Sequence, residues 1–475
     1  MSEYESILAR FRQHGQEHIL AGYDALPADQ KEQLLADCAK VDFDWLEARR
    51  AEAGETHAGA VHAADIEPAP VTRLPRGDED RKRFARARAA GEEKLRQGKV
   101  SAFLVAGGQG TRLGFDGPKG AFPVGPISRR SLFQWHAEQI LARSGRYGAA
   151  IPFYIMTSRD NDRDTRAFWS DHGHFGLPPE DVFFFRQEMA PCLDFNGKLL
   201  RASPSTLAMN PDGHGGALTG LYRSGALSDM KRRGIEMMSY FQVDNPLVTI
   251  CDPVFIGWHA LENAEMSSKV LEKNSPSERI GVVCLRNGKP AVVEYIDLDE
   301  DAQNARGVDG RLKFWAGSIA IHMINVGFVE RLAGGAGLPW HLSRKKVPYF
   351  DGERLIRPSE ENACKFETFV FDALPFAERT LNLEVRREHE FAPVKNAEGV
   401  DSVATSRRLL SNYFCEWLAE CGIAVPAPDA SEMPPGSDAR GPVVEISPLY
   451  SLDAEELRGK IKADGFALER FLLLG

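Results

Sequence analysis

The sequence predicts an α/β protein built on a central, mostly parallel, Rossmann-like sheet. From Val100 to roughly Glu390, short apolar runs alternate with amphipathic stretches, which is the pattern of parallel strands covered by helices. The first run, Val100–Val105, is short and is followed at once by glycines, as expected of a buried strand and not of a helix. Helical spacing ahead of this run and a strand-like segment near the C-terminus complete the expected fold.

The order of these patterns predicts three domains, since a chain of 475 residues is long enough for more than one. The expected boundaries give an N-terminal helical domain, a main α/β domain and a small C-terminal domain, at residues 1–97, 98–400 and 401–475. A highly charged helix, Asp78–Gln97, leads into the first strand. The C-terminal region begins with a helix, Ser406–Cys421, and continues after a proline-rich linker, Pro426–Pro442.

Composition limits the classes of function. The net charge of −10 argues against a surface for nucleic acid, which attracts basic domains, so we expect no nucleic-acid partner. No apolar stretch has transmembrane length and the N-terminus lacks the apolar core of a signal peptide, so we expect no membrane partner either. The seven cysteines form no C-x-x-C pair. Reduced thiols in a cytoplasmic protein are therefore expected.

The stretch Val100–Pro123, VSAFLVAGGQGTRLGFDGPKGAFP, predicts a phosphate-binding loop. Glycines remove side chains where the backbone comes close to another group, and unpaired peptide N–H groups in such a turn form an anion site. Two cations, Arg112 and Lys119, are spaced along the break. The loop is neither a P-loop nor the dinucleotide fingerprint, because its glycines have a different spacing. The predicted loop residues besides these cations are Gly107, Gly108, Gly110 and Thr111.

Ligands of open α/β sheets bind beyond the carboxyl ends of the strands. Four further strands are predicted, at Ile151–Thr157, Asp181–Gln187, Met237–Asn245 and Arg279–Leu285. The residues that end or follow them include Gln187, Asp244, Asn245 and the glycine-rich loop PDGHGG. Asp244 has two interpretations: a helix N-cap, or a hard oxygen ligand for Mg²⁺. The second is favoured here because a bound triphosphate needs its metal.

The combination of G-G-x-G-T-R-L-G and the later P-K resembles the signature of nucleotidyltransferases that make nucleotide sugars. The closest resemblance is to the eukaryotic-type UDP-sugar pyrophosphorylases, particularly the UDP-N-acetylhexosamine pyrophosphorylases, and it extends over nearly the whole chain. It implies a GT-A-like nucleotidyltransferase sheet between an N-terminal helical segment and a small, β-rich C-terminal domain.

The resemblance implies roles on the nucleotide side. Asp244 matches the family's metal-associated aspartate. The loop PDGHGGALTGLY resembles a lid over uracil and ribose, in which Gly215 approaches the base while Gln187 hydrogen-bonds its edge. His214 stands where hexosamine-type relatives usually carry Asn. It could be a catalytic base or a contact residue, and the contact role is favoured because the nucleophile of the implied reaction is already an anion.

On the sugar side, the resemblance implies that Glu294 accepts hydrogen bonds from sugar hydroxyls and that Gly281 lies near the acyl-amino group. Trp315 stands where these enzymes commonly carry Asn, and the indole could either stack on the sugar or pack in the core. Asn245 is also assigned to the sugar site. So is Lys365, at the start of an apolar stretch with helical spacing that matches a lysine of the family's pattern.

The implied reaction converts UTP and N-acetylglucosamine-1-phosphate into UDP-N-acetylglucosamine and pyrophosphate, with Mg²⁺ as cofactor. Arg112 is expected to hold the β and γ phosphates. Lys119 and Lys395, the second of which matches the family's phosphate-reaching lysine, are expected to neutralise charge around the α-phosphorus. The partners are thus UTP, a sugar-1-phosphate, the UDP-sugar and pyrophosphate. We expect a monomer or a weak homo-oligomer.

Three alternatives remain open. The substrate could be a glucose- or galactose-type phosphate or a broad range of sugars, or the chain could be a non-catalytic nucleotide-sugar-binding regulatory protein. A metal-dependent glycosyltransferase would need a D-x-D at a strand end. The one candidate, Asp160, Asp162 and Asp164, is interpreted as the start of a helix.

Overall fold

The computed structural model of the chain describes residues 2–48, 60–335, 337–425, 442–464 and 471–475. The chain forms two compact units, and neither is continuous in sequence. The first comprises Met1–Ala60, Gln187–Thr219 and Ala336–Asp372; the second comprises Val61–Arg186, Gly220–Gly335 and Ala373–Gly475. The expected linear division at residues 97 and 400 stays a prediction.

The strands that the structure describes are β1 (Ile66–Pro68), β2 (Val100–Val105), β3 (Phe153–Thr157), β4 (Val182–Arg186), β5 (Met189–Pro191), β6 (Leu193–Asp194), β7 (Arg201–Ser203), β8 (Thr206–Leu207), β9 (Met209–Pro211), β10 (Met237–Gln242), β11 (Met266–Glu272), β12 (Val282–Arg286), β13 (Lys289–Val293), β14 (Ala316–Asn325), β15 (His341–Lys345), β16 (Tyr349–Phe350), β17 (Leu355–Ile356), β18 (Ala363–Glu367), β19 (Thr380–Glu384), β20 (Val443–Ile446) and β21 (Phe471–Leu474).

The described α-helices are Glu3–Gln13, Ala28–Ala39, residues 43–48, Asp78–Arg96, Leu132–Tyr147, Asp162–Asp171, Gly216–Arg223, Ala226–Arg232, Pro253–Leu261, Glu300–Asn304, Val326–Ala333, Arg387–Glu390, Val403–Glu420 and Ala454–Asp464. Single 3₁₀ turns are found at Glu17–Leu20, Tyr23–Ala25, Thr111–Leu113, Lys119–Ala121, Gly173–Gly176, Pro179–Asp181 and Val370–Phe376. Among these described helices, none is long and apolar enough to cross a bilayer.

The second unit contains a ten-stranded sheet. β10, β2, β3 and β4 pair in parallel in that order, and β11 pairs in parallel with β19. β10, β11 and β12 are each antiparallel to β14, so they run in the same direction as one another. Seven of the ten strands therefore share one direction, and β1, β13 and β14 run against it. The prediction of an α/β protein with a mostly parallel central sheet is confirmed.

The sheet is covered by helices that begin at recognisable caps. Ser131 accepts a hydrogen bond from the N–H of Gln134 and starts the helix Leu132–Tyr147, and Asp252 does the same for Pro253–Leu261 through the N–H of Val254. The second helix crosses Asp78–Arg96 so closely that a Cβ on Gly257 would lie 1.6 Å from the Ala87 carbonyl oxygen. Glycine is required at this crossing because any side chain would displace one helix.

Several local predictions are confirmed and one is wrong in part. The strands β3, β4, β10 and β12 and the helices Asp78–Arg96 and Val403–Glu420 lie where they were expected, and Asp162–Asp171 confirms that the D-x-D run begins a helix. Within residues 1–97, expected to form a helical domain, the structure also describes a strand, β1, which pairs with β12. β1 has only three residues, which are too few to show the alternation of apolar and polar side chains that predicts a strand. Its conformation is decided by pairing with the distant strand β12. The linker before Pro442 lies outside the described residues.

The first unit combines helices with small sheets. β15, β18 and β6 form a three-stranded sheet, and β5–β9, β7–β8 and β16–β17 form pairs. Its core contains Phe11, Leu34 and Phe366. Lys365, expected at the start of a helical stretch, lies instead on β18 opposite Ser343, because pairing with β15 keeps this segment extended. The loop predicted over PDGHGGALTGLY is also shorter than expected, since a helix begins at Gly216 and buries Ala217, Leu218 and Leu221.

Candidate active site

Four loops of the second unit leave the sheet at one edge, here called the carboxyl edge. β2, β10, β11 and β19 run in the same direction, and the paired residues Gln242 and Val105 end β10 and β2 at the same level. β14 begins at this edge, because Ala316 is paired with Glu272 at the end of β11. The glycine-rich loop, Asp244, Lys273 and the segment that leads to Lys395 therefore follow strands that end together. This is the ligand-binding position in open α/β sheets.

The glycine-rich loop folds back on itself after β2. The N–H of Gly110 donates to the carbonyl of Gly117 over 2.9 Å, and the N–H of Lys119 donates to the carbonyl of Gly108 over 3.1 Å. A Cβ on Gly110 would lie 2.7 Å from the Phe115 ring, whereas a Cβ on Gly108 would meet nothing within 4 Å. Gly110 is thus explained by the loop's own packing. Gly108 leaves backbone open for a ligand to approach.

Asn161 anchors this loop and was not identified from the sequence. Its buried amide donates to the carbonyls of Ala106, over 2.8 Å, and Gly108, over 3.1 Å, while its oxygen accepts from the N–H of Ser158. The signal that could have found it is its position just after the carboxyl end of β3.

Arg112 and Thr111 lie in a 3₁₀ turn within the loop, and both are exposed. In the described part of the chain, the Arg112 guanidinium has neither a hydrogen bond nor an ion pair. Its charge is therefore available to an anion that binds at the loop.

Lys119 and Asp244 form an ion pair, with 3.2 Å between Nζ and Oδ2. Lys119 lies on a short 3₁₀ turn, Asp244 follows β10, and each side chain is about one-sixth exposed, at 16% and 15%. The described residues contain no cluster of three His, Cys, Asp or Glu that could hold a metal by itself. A divalent cation at Asp244 would therefore take most of its oxygen ligands from phosphate and water, which is the coordination typical of Mg²⁺ bound with a nucleotide.

The segment that carries Lys395 is bonded to the loop after β10. The N–H of Val394 donates to the carbonyl of Asp244 over 2.8 Å. The Lys395 ammonium lies 3.4 Å from the Asp401 carboxylate and is 43% exposed. The structure thus brings the backbone that carries Lys395 next to the Lys119–Asp244 pair.

Two predicted sugar residues of the second unit, Gly281 and Trp315, come directly before β12 and β14, and a third, Glu294, directly follows β13. A Cβ on Gly281 would lie 3.3 Å from a carboxylate oxygen of Glu294, so these two residues are neighbours. Gly317, the second residue of β14, is paired with Val282, the first residue of β12, so these two strands start next to each other. The guanidinium of Arg73 lies 4.0 Å above the Trp315 ring. One face of the indole is therefore covered, and only the other face is left to stack on a sugar.

Lys273 is a second residue that the sequence did not reveal. It follows β11 directly and is only 6% exposed, and burial lowers the pKa of its ammonium. The N–H of Lys273 donates to the carbonyl of Trp315 over 3.0 Å, and its Nζ donates to the carbonyl of Pro276 over 3.1 Å. A buried cation at the carboxyl edge is a candidate to meet a phosphate group. The run before it contains Lys269 and Glu272, so no apolar pattern marks Lys273 in the sequence.

Asn245 has a defined structural task. Its amide donates to the carbonyl of Glu390 over 2.7 Å and accepts from the N–H of Ala392 over 3.0 Å. Both bonds join the buried Asn245 side chain to the backbone of Glu390 and Ala392. They therefore connect the loop after β10 with the segment that leads to Lys395. Its assignment to the sugar site stays a prediction.

The first unit contains the remaining predicted residues. The ring of His214 accepts a hydrogen bond from the N–H of Val370 over 3.1 Å and lies 5.3 Å from the Phe369 ring. Burial, assisted by the positive charge of His341, lowers the pKa of His214 to about 4. The imidazole is therefore neutral near pH 7 with its Nδ1 lone pair engaged. This arrangement argues against a general base and favours a contact role.

Gly215 is required by packing within the first unit. A Cβ there would lie 2.6 Å from the backbone nitrogen of Phe369. The glycine therefore has a structural explanation that does not depend on the approach of a base. Gln187 is buried and is the first residue of the segment Gln187–Thr219 of the first unit. Lys365 lies on β18.

The predicted residues are thus divided between the two units. The second unit holds Gly107, Gly108, Gly110, Thr111, Arg112, Lys119, Asp244, Asn245, Gly281, Glu294, Trp315 and Lys395. The first unit holds Gln187, His214, Gly215 and Lys365.

Comparison with known proteins places these features in one enzyme class, the nucleotidyltransferases. The chain belongs to the family described as UTP--glucose-1-phosphate uridylyltransferase, which matches residues 51–412. It is 36% identical to the human UDP-N-acetylhexosamine pyrophosphorylase-like protein 1, with 96% of this chain and 94% of the relative covered. It is 32% identical to the UDP-N-acetylglucosamine pyrophosphorylase of Saccharomyces cerevisiae, covering 97% of this chain and 98% of the relative.

A solved structure agrees with these relatives. The uridine diphosphate N-acetylglucosamine pyrophosphorylase of Trypanosoma brucei, in complex with an inhibitor, superposes with a TM-score of 0.83. The match has 28% sequence identity and covers 100% of this chain and 98% of that one. The resemblance inferred from the glycine-rich loop is therefore confirmed across the length of the chain.

Proposed function

We propose that this chain is a uridylyltransferase that converts UTP and N-acetylglucosamine-1-phosphate into UDP-N-acetylglucosamine and pyrophosphate. The observation that carries the proposal is the Lys119–Asp244 pair beside the glycine-rich loop at the carboxyl edge. Relatives whose names state this activity, at similar length and with more than 30% identity, support the choice of reaction.

In the proposed reaction, an oxygen of the sugar phosphate attacks the α-phosphorus of UTP. A new P–O bond forms, the bond from the α-phosphorus to the bridging oxygen breaks, and the electron pair leaves with pyrophosphate. Little covalent chemistry is needed from the protein, so catalysis depends on positioning and on charges placed where negative charge develops. Arg112 would hold the β and γ phosphates, while Lys119 and Lys395 would neutralise charge around the α-phosphorus.

Mg²⁺ is the metal that best fits the oxygen ligands available. Asp244 would hold it, and Lys119 is the only side-chain partner of Asp244 among the described residues, so one carboxylate oxygen is open to a cation. When bound, the metal would screen the charges of the phosphate oxygens. Lys119 would then exchange the carboxylate for a phosphate.

The remaining assignments follow the two ends of the substrate. Gly107, Gly108, Gly110 and Thr111 would present backbone N–H groups to the phosphates, and Gln187, His214 and Gly215 would contact the uridine. Gly281, Glu294, Trp315, Asn245 and Lys365 would surround the sugar. The position of the Glu294 carboxylate beside Gly281 supports hydrogen bonds from this carboxylate to the hydroxyl groups of a sugar.

A broader sugar range is a second candidate, supported by Trp315. An aromatic face discriminates between small groups by only about 10 to 200-fold, whereas an amide that hydrogen-bonds its ligand rejects an analogue far more strongly. Glucose- and galactose-type phosphates would then react as well. We also propose a reducing compartment, the cytoplasm, because none of the seven cysteines, all of them among the described residues, forms a disulfide. We further propose a monomer or weak homo-oligomer.

The decisive experiment supplies purified protein with UTP, Mg²⁺ and a panel of sugar-1-phosphates and measures pyrophosphate. We expect turnover with N-acetylglucosamine-1-phosphate. Arg163→Ala is a suitable control, because Arg163 is highly exposed and has no place in the proposed site. Turnover of a non-acetylated sugar alone would refute the hexosamine assignment. The absence of pyrophosphate with every sugar would leave the non-catalytic binding protein as the better interpretation.

A further inference from the structure

Three buried charges meet beside the segment that leads to Lys395. Lys269, on β11, is fully buried, and its ammonium lies 2.9 Å from the Asp252 carboxylate and 2.5 Å from the Glu390 carboxylate. Asp252 is the N-cap of the helix Pro253–Leu261, and Glu390 ends the short helix Arg387–Glu390. The cluster therefore ties three separate elements of the second unit together.

Such a cluster is a costly way to hold a core together. Removing charges from water carries a large desolvation penalty, and apolar side chains of similar volume often stabilise a protein as well as a buried ion pair does. Buried polar groups are instead suited to fixing one arrangement of the chain, because only that arrangement satisfies their hydrogen bonds. The cluster is therefore suited to fixing the position of the segment that follows Glu390.

Glu390 starts a series of bonds between two loops of the carboxyl edge. Its second carboxylate oxygen accepts from the N–H of Thr249 over 3.1 Å, and its carbonyl accepts from the Asn245 amide over 2.7 Å. The N–H of Ala392 donates to Asn245 and the N–H of Val394 to the carbonyl of Asp244. Residues 390, 392 and 394 are thus bonded in turn to residues 244–249.

These alternating bonds set the register of the segment. A shift of one residue in either direction would place Pro393, which has no N–H, against Asp244 or Asn245 and would remove one of these bonds. It would also turn the Lys395 side chain to the other face. The carboxylate of Glu390 opposes such a shift because it is held on one side by Lys269 and on the other by Thr249.

We propose that Glu390, held by Lys269, is a positioning residue that fixes the Lys395 segment against the Asp244 loop. Asp252 contributes by binding the same ammonium of Lys269. The proposal rests on the proposed role of Lys395 in the transfer of uridylyl groups. It assigns a function to a buried cluster that touches neither substrate nor reacting atoms.

A double-mutant cycle tests whether Glu390 acts through Lys395. Glu390→Gln keeps the shape of the side chain and removes its charge. A misplacement of about 1 Å can lower turnover by about 100-fold, so we expect Glu390→Gln to lower kcat by about 10 to 100-fold with a much smaller change in KM. In the Lys395→Ala background the same substitution is expected to change kcat by less than about twofold. An equal loss in both backgrounds would overturn the proposal.

A matched control separates positioning from general destabilisation. Glu445 is a fully buried glutamate that accepts from the N–H groups of Ile127 and Ser128 and pairs with Arg130 over 3.1 Å. Glu445→Gln should lower the melting temperature as Glu390→Gln does, yet leave kcat unchanged. If Glu390→Gln does not fold, Glu390→Asp keeps the charge balance and draws the carboxylate back from Thr249, and the same cycle applies.

Hydrogen exchange distinguishes failure of this proposal from failure of the proposed function. In Glu390→Gln the amides of Ala392 and Val394 should exchange faster than in the unmodified protein, whatever reaction the protein catalyses. Unchanged exchange at both amides would overturn the positioning role. If the unmodified protein released no pyrophosphate while this exchange still increased, the uridylyltransferase assignment would fall and the positioning role would stand.

Discussion

Acid should destabilise this protein through buried neutral histidines, among them two of the second unit. His136 and His259 are 0% and 1% exposed, and burial lowers the pKa of each to about 4. His136 donates from Nε2 to the carbonyl of Val243, while its Nδ1 has no partner in the described part of the chain. His259 is bonded to Ser267 and to the side-chain oxygen of Asn325. A proton added to His136 would have no acceptor among the described residues, and a proton added to His259 would require the Ser267 hydroxyl to turn from donor to acceptor.

The magnitude follows from the difference between folded and unfolded pKa values. An unfolded histidine has a pKa near 6.5, so between about pH 6.5 and about pH 4 the unfolded chain binds more protons than the folded one. Stability is therefore complete above about pH 6.5 and is lost as the pH falls, by up to about 1.4 kcal/mol per pH unit for each histidine. Between about pH 7.5 and about pH 5 each should contribute a loss of about 2 kcal/mol.

Urea unfolding at a series of pH values measures this loss. We expect the unfolding midpoint to decrease below about pH 6.5 and to decrease less steeply in His259→Gln, which cannot take up the proton. His172→Gln is the control, because this histidine is exposed and its substitution should leave the slope unchanged. An identical slope in the unmodified protein and in His259→Gln would refute the reasoning.

Three further predictions concern the site. Lys395→Ala and Arg112→Ala should each lower pyrophosphate release by about 100-fold or more in a folded protein, the usual scale for the loss of one preorganised charge. Asp244→Asn should raise the Mg²⁺ concentration needed for half activity, and excess chelator should abolish turnover of the unmodified enzyme. Trp315→Asn should sharpen the preference for the acetamido sugar, measured as the ratio of kcat/KM values for N-acetylglucosamine- and glucose-1-phosphate.

Each of these results has a clear contrary outcome. Near-normal turnover in folded Lys395→Ala or Arg112→Ala would remove that residue from the mechanism. Full activity in excess chelator would exclude the metal role of Asp244. An unchanged ratio of sugar preferences in Trp315→Asn would mean that the indole is a packing residue, held by Arg73.

The sequence alone was sufficient wherever a signal is local. The run Val100–Val105 with its glycines predicted both a strand and a phosphate-binding loop. The carboxylate of Asp244, which follows the apolar run of another strand, pointed to the same edge of the sheet. The strand was predicted correctly because strand length and the glycines that end it lie in neighbouring residues, whereas the phosphate-binding role of the loop stays a prediction.

Tertiary structure decided what depends on distant partners. β1 exists because it pairs with β12, more than two hundred residues away, and β18 is extended because it pairs with β15. The discontinuous units, the anchoring role of Asn161 and the cluster around Lys269 likewise involve residues far apart in the chain. No local pattern distinguishes a buried lysine with two carboxylate partners from a solvated one, because the difference lies in which groups the fold brings to it.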